Sequence, residues 1–285
     1  IYEEMGGSSP ILKLTKEQAH ELELSLNFNQ KEINYKTFIA MRCWKPRASE
    51  VIKDIINFKP NEIILLPLYP QFSYSTSGSS INEWKDICKI NRYNIKTSTI
   101  CCYPAEKNFI KAHIDEISKK IGKNENEKVI FSAHGLPEKN IKNGDPYQWQ
   151  IERTVEEIVK KINIKDFDYI LSYQSRVGPL KWIGPSTDDV IVENSKIGKS
   201  IILVPVAFVS EHSETLVELD IEYKKLAKEN GCKNYERVPA LGTNKAFIES
   251  LSNLILNIDE YKLKNGLHPP KIQCPNKFKK CPCQI

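Results

Sequence analysis

The sequence predicts an α/β fold in which parallel sheets are flanked by helices and divided between two lobes. Three observations lead there. Apolar runs of strand length alternate with helix-like segments, the pattern of βα units. The strand candidates are continuously apolar rather than alternating, which indicates burial on both faces. Finally, the polar stretch 122–128 (GKNENEK) reads as a hinge between the lobes.

In chain order, 15–26 and 45–56 read as helices, followed by a strand at 62–67 (EIILLP) and a helix at 109–121. Beyond the hinge come a strand at 128–133 (KVIFSA), a helix at 148–162 and a strand at 168–173 (DYILSY). A strand at 200–209 and helices at 211–230 and 244–258 complete the set. The longest apolar run, 201–209 (IILVPVAFV), is far below the ~18 residues that span a bilayer and suits a buried strand.

The 285 residues are enough for one large or two ordinary domains. The division expected is a first lobe at 1–125, a second at 126–262, and a Cys/Lys-rich tail at 263–285. With 40% hydrophobic and 27% charged residues, the composition is that of a soluble globular protein. The net charge of +5 is modest and acids alternate with bases, which argues against a nucleic-acid partner. The exception is the tail, where Lys262, Lys264, Lys271, Lys277, Lys279 and Lys280 face no acid: a solvated end, or a basic foot on an anionic membrane. No secretory signal is visible, although the chain begins at Ile1. A cytoplasmic location follows, with peripheral contact at the inner membrane as the alternative. The eight cysteines then read as thiols or metal ligands rather than disulfides. There is no G-x-x-x-x-G-K-[ST] and no G-x-G-x-x-G, so no phosphate-binding loop is found.

Ligands of open parallel sheets sit beyond the carboxyl ends of the strands. Four such ends carry unusual residues. EIILLP is followed by Tyr69, Gln71 and the Ser/Thr/Gly run 74–80; KVIFSA by His134; DYILSY by Gln174, Ser175 and Arg176; and the 200–209 strand by Glu211, His212 and Glu214. Four chemically rich edges on one rim define one cleft.

With Ser210 as N-cap, Glu211, Glu214, Glu218 and Glu222 share a helix face, while Leu216, Leu219, Tyr223 and Leu226 form an apolar face that packs on the sheet. A solvated acidic face near a helix N-terminus is the ordinary reading of such a run. His134 on the neighbouring edge turns the balance toward a pair that handles protons or metal. Gly135 permits close approach there, and Pro137 stiffens the exit.

The strings LPLYPQFSYSTSGSS, FSAHGLPEKNIKNGDPYQ, YQSRVGPLKWIGPSTDD, VPVAFVSEHSETLVELDIEY and RVPALGTN resemble the successive signature segments of the ferrochelatase family. They come in that family's order, and the resemblance runs from MGGSSPIL across nearly the whole chain. It implies a chelatase-like fold of two similar Rossmann-like lobes with a cleft between them. The implied activity is that of a lyase inserting Fe2+ into protoporphyrin IX to give protohaem, the terminal step of haem biosynthesis. By position, His134 matches the active-site histidine, acting as pyrrole proton acceptor, and Glu214 its partner glutamate. Glu211, His212 and Glu218 match the helix lining the cleft, so His134, Glu214, Glu211 and Glu218 are the expected metal contacts. Ser9, Arg42, Tyr69, Gln71 and His212 are the expected porphyrin contacts.

The residue types suit that chemistry. Two pyrrole N–H protons leave as iron enters; a neutral imidazole accepts them near pH 7, and a carboxylate stabilises the imidazolium. Glutamates offer hard oxygens to a hydrated ferrous ion. A cleft that bends the macrocycle exposes its nitrogens. Against the family pattern, the N-L-G-G-P-like segment and roughly the first βα unit are missing, and Gly242 stands in ALGTN where an Asn is usual.

In the tail, Cys274-x6-Cys281-x-Cys283 reads as a zinc site, an iron–sulfur site or unpaired thiols; paired C-x2-4-C spacing for zinc is absent. The tail resembles that of ferrochelatases carrying a [2Fe–2S] cluster, which implies Cys274, Cys281 and Cys283 as ligands with Cys102, or its neighbour Cys101, as the fourth. Coproporphyrin III as substrate, a non-catalytic porphyrin or haem carrier, and an iron–sulfur redox protein are the competing readings. No feature of the sequence fixes an oligomeric state.

Overall fold

A computed structural model describes residues 8–176, 178–261, 267–268 and 274–284. The chain opens with helices α1 (Ile11–Asn29) and α2 (Ala48–Phe58), strand β1 (Ile63–Leu65), a short π-helix (Tyr74–Gly78), helix α3 (Ser79–Ile90) and strand β2 (Thr97–Ile100). Helix α4 (Lys107–Ser118) leads to β3 (Glu127–His134), α5 (Glu138–Lys142), α6 (Tyr147–Lys161) and β4 (Tyr169–Gln174). Then come α7 (Thr187–Lys196), β5 (Ser200–Pro205), a second π-helix (Glu214–Glu222), α8 (Tyr223–Glu229), β6 (Tyr235–Arg237), α9 (Lys245–Leu256) and β7 (Leu267–His268).

Two sheets result, in strand orders β1-β2-β7 and β4-β3-β5-β6, with every pairing parallel. Alternation along β3 divides the second sheet's two faces. Val129, Phe131 and Ala133 join a large core with Ile202 and Val204 of β5 and residues of α1, α4, α6 and α9. Ile130 faces the other way, with Ile201, Leu203, Val190, Ile191, Leu219 and Tyr223. All six residues of β5 are buried, as a strand covered on both faces requires.

Several expectations need correction. The stretch 122–128 is locally ordered: the Glu127 carboxylate accepts from the backbone N–H groups of Gly122 (2.7 Å), Lys123 (3.1 Å) and Asn124 (2.8 Å), tying the loop to the first residue of β3. Packing does not divide at 125. Helix α9 packs on α1 and α4, and β7 pairs with β2, so both α9 and β7 return to the first sheet's side. Gln18 of α1, 1% exposed, ties the two sides together. Its Nε2 donates to Val209 O (2.7 Å) and Gly242 O (2.9 Å), and its Oε1 accepts from Ser210 Oγ (2.8 Å).

That last bond also explains why Ser210 is not the N-cap of the acidic helix. Its hydroxyl is committed elsewhere, and the helical turn begins only at Glu214, in π form, with Tyr223 N–H reaching Glu218 O. Leu219 and Tyr223 are buried, as the apolar face requires, but Leu216 is half-buried and Val217 takes an inward place. Helices α3 and α7 and strands β2 and β6 were not anticipated. The described residues contain no helix long and apolar enough to cross a membrane.

Candidate active site

His134 is the last residue of β3, opposite Gln174 at the end of β4. Its Nδ1 lies 2.8 Å from the Gly135 carbonyl oxygen, which can only accept, so Nδ1 carries the proton of the neutral ring. The unprotonated Nε2 is thereby left facing Glu214 Oε2 at 3.6 Å. Gly135 is required at this edge, since a Cβ there would meet Gln174 O at 2.9 Å. From below, Tyr147 OH donates to His134 O at 3.0 Å.

The two glutamates share one support. Ser175 sits in the left-handed region at φ 57°, a costly conformation for a residue with a side chain. There its N–H and Oγ donate to Glu218 at 3.0 and 2.6 Å, and its Oγ approaches Glu214 Oε2 at 3.4 Å. Tyr223 OH (3.0 Å) and Gln174 Nε2 (3.3 Å) complete the Glu218 shell. Burial pushes the Glu214 carboxyl above the ordinary carboxylate range, His134 pulls it down, and Glu218 pushes it up again. The π-helical turn puts both carboxylates on the His134 side.

The other expected residues divide. Glu211 is turned away: its Oε1 accepts from Arg237 Nη1 (2.8 Å) and Ala240 N (2.9 Å), so it does not join Glu214 and Glu218. His212 acts on the backbone, its Nδ1 accepting the Glu214 N–H at 3.1 Å and its ring packing edge-on to Phe208. Burial lowers its pKa to about 4, so it is neutral at pH 7. Gln71 is 2% exposed and bonds Thr154 Oγ1 (3.0 Å), so it builds the wall rather than standing open to a ligand. Tyr69 is 39% exposed, and Arg42 lies 3.7 Å from Glu83. Ser9 Oγ accepts from Ile11 N at the start of α1 (3.4 Å). Ser175, Tyr147 and Asp145 were not assigned from sequence. Asp145 lies in the GDPY string, whose Asp-Pro pair signalled only a turn.

The thiols converge as well. Cys101, Cys102, Cys274 and Cys281 are buried and Cys283 half-buried. Cys281 is in contact with the thiols of Cys101, Cys274 and Cys283, whose hydrogen bonds hold it well below the usual thiol range. Cys102 Sγ accepts instead from Gln150 Nε2 at 3.3 Å. Among the described residues, no group of three or more His, Cys, Asp or Glu is arranged around a single metal-ion position.

Parallel sheets flanked by helices, with a histidine and two carboxylates at one carboxyl edge, define a chelatase-like α/β protein. The fold is similar to that of SirB from Bacillus subtilis with Fe3+, at TM-score 0.61 and 15% identity over 84% of this chain and 88% of that one. Sirohydrochlorin chelatase SirB from Bacillus subtilis subspecies spizizenii in complex with cobalt is similar at TM-score 0.62 and 14% identity, over 87% and 90% of the two chains. The ferrochelatase family model matches residues 1–258. A ferrochelatase of Pelagibacter ubique (strain HTCC1062) is 67% identical over 99% of this chain and 82% of its own length. One from Rickettsia felis (strain ATCC VR-1525 / URRWXCal2) is 50% identical over 100% and 82%. The chain belongs to the ferrochelatase family.

Proposed function

We propose that the chain inserts ferrous iron into protoporphyrin IX at the edge formed by His134, Glu214 and Glu218, the last step in making protohaem. Membership of the family supports iron insertion into a porphyrin. The observation that carries the residue roles is the commitment of His134 Nδ1 to Gly135 O, which leaves Nε2 as a free base 3.6 Å from Glu214. In the reaction one Fe2+ enters and two pyrrole protons leave. Nε2 accepts the first pyrrole proton as an imidazolium stabilised by the Glu214 carboxylate, passes it on to the carboxylates and then accepts the second in the same way. Glu218, anchored by Ser175 and Tyr223, receives the charge as the proton moves on and offers a second hard oxygen to the incoming cation. Tyr69 and Arg42 form the rim against which the macrocycle and its propionates lie.

The thiol pocket supports a second element of the reading. A [2Fe–2S] cluster takes four thiolates divided between two irons rather than gathered about one ion, and this chain's buried pocket supplies them. Cys274, Cys281 and Cys283 would hold it. Cys101 is better placed than Cys102 as the fourth ligand, because its thiol contacts both Cys281 and Cys283. Such a cluster supplies one-electron redox capacity or a structural clamp on the tail.

Peripheral contact with a membrane is read directly by flotation with anionic vesicles. The function itself is tested anaerobically with ferrous iron and protoporphyrin, following loss of porphyrin fluorescence as the metalloporphyrin absorption rises. Coproporphyrin III is run in parallel. His134→Ala is expected to lose insertion by at least ~10²-fold, the scale of a lost general base, while retaining porphyrin binding. Turnover retained in that variant removes His134 from the mechanism, and faster turnover of coproporphyrin reassigns the substrate. Cys281→Ser is expected to bleach the cluster absorption.

A further inference from the structure

Gln150 of α6 is fully buried, at 0% exposure, between the thiol pocket and the loop that follows β1. Its Oε1 accepts from Phe72 N at 2.7 Å. Its Nε2 donates to Cys102 Sγ at 3.3 Å and to Cys274 Sγ at 3.2 Å. The backbone N–H of Phe72 can only donate, so the amide cannot be flipped: oxygen toward the loop, nitrogen toward the sulfurs. Neutral thiols are weak acceptors, a poor exchange for the water such a buried amide has lost. Thiolate sulfurs carrying negative charge accept far more strongly. The fixed orientation therefore turns both amide donors onto the sulfur site, one onto Cys274, a proposed cluster ligand, and one onto the neighbouring Cys102.

On its other side the amide is part of a denser set of bonds. The loop flanking Phe72 is held by Gln71 Nε2 on Thr154 Oγ1 (3.0 Å), one helical turn beyond Gln150, and by Ser73 Oγ and Tyr74 N on Asp145 Oδ2 (2.8 and 2.9 Å). This loop runs on from Tyr69 of the proposed cleft rim. Of these supports, Gln150 alone also touches sulfur.

We propose that Gln150 is a positioning residue for the sulfur site: its amide N–H groups hold and tune Cys274 and the adjacent Cys102, while its carbonyl fixes the 71–74 loop beside the porphyrin cleft. This rests on the cluster reading given above. Hydrogen bonds to cluster sulfurs stabilise the reduced, more negative state and so raise the reduction potential.

The test uses the full chain reconstituted anaerobically with ferrous iron and sulfide. It compares wild type with Gln150→Met, similar in length but without donors, and Gln150→Glu, which keeps an acceptor for Phe72 N–H while removing the donors to sulfur. The readouts are visible absorption, the paramagnetic resonance of the dithionite-reduced protein, its midpoint potential, and porphyrin affinity by fluorescence. The expected result is a more negative midpoint in both variants, with porphyrin binding weakened several-fold only in Gln150→Met. A wild-type midpoint and resonance in both variants overturns the inference. Equal porphyrin affinity in Gln150→Met and wild type overturns its loop half. A wild-type chain that stays colourless overturns the cluster reading, and the inference with it.

Discussion

The phenol of Tyr147 donates to the main-chain carbonyl of His134 at 3.0 Å, so the end of β3 is held in place from the start of α6. Tyr147 is itself fixed by its N–H to Asp145 Oδ1 at 3.0 Å. Asp145 also holds the Ser73 hydroxyl and the Tyr74 N–H, and one 2%-exposed carboxylate thus aligns the histidine edge with the cleft loop. Tyr147→Phe keeps the ring and removes the bond. A loss of about 1 kcal/mol in stability is expected, the net worth of one hydrogen bond, with turnover reduced more than porphyrin affinity. Urea unfolding and steady-state kinetics check it; unchanged turnover would show that the strand end needs no such support.

Glu214 is destabilised as an anion by burial. Its folded pKa lies above its unfolded value near 4.5, so its contribution to stability is full below that value and is lost as pH rises through the folded one. Glu214→Gln is therefore expected to melt above wild type at pH 7.5, with the difference closing by pH 4, while iron insertion falls. A melting difference that stays constant across that range would refute the assignment.

His113 is shifted the opposite way. Burial holds it neutral, with a pKa lowered from 6.5 to about 3, and its Nε2 has no hydrogen-bond partner among the described residues. The unfolded chain binds this proton and the folded one excludes it. Stability is therefore intact above pH 6.5 and declines as pH falls toward 3, with a limiting slope of about 1.4 kcal/mol per pH unit. His113→Leu is expected to flatten the fall in the denaturation midpoint between pH 7 and 5. An unchanged slope would place the acid sensitivity elsewhere.

Gly144 has φ 91°, and a Cβ there would meet Lys279 N at 2.9 Å, so the tail seats directly on this turn. The Lys280 N–H completes the contact by donating to Gly144 O at 3.1 Å. Gly144→Ala combines backbone strain with a clash and is expected to cost ~1–3 kcal/mol. If the proposed cluster assembles, its absorption is expected to be lost at lower temperature than porphyrin binding, as thermal scans at both signals would record.

The parallel architecture was legible in the sequence because its strands are fully apolar runs, and β3, β4 and β5 lie within a few residues of the runs that announced them. β2 was not legible: in TSTI, three of four residues are polar although the last three are buried. The His134–Glu214 pairing was expected from the family resemblance, while spacing alone offered the whole run Glu211, Glu214, Glu218 and Glu222. The place of Glu211 was not legible, because helical spacing presumes a helix, and the chain here is held outside one by Arg237 and by the Ser210 bond to Gln18. Ser175 was equally hidden, since its value lies in a backbone conformation that sequence does not advertise for a non-glycine residue.

The attachment of Gln18 has a mechanical consequence. Both ends of its buried amide are used, reaching across to Val209, Ser210 and Gly242. Helix α1 and the segments around Val209 and Gly242 are thus bolted together rather than articulated, and the proposed site is expected to meet its ligand at a preset width. A flat macrocycle bound at such a site is expected to deform while the protein stays still. Small-angle scattering should therefore show the same radius of gyration with and without porphyrin, and out-of-plane ring modes in the resonance Raman spectrum should report where the strain has gone.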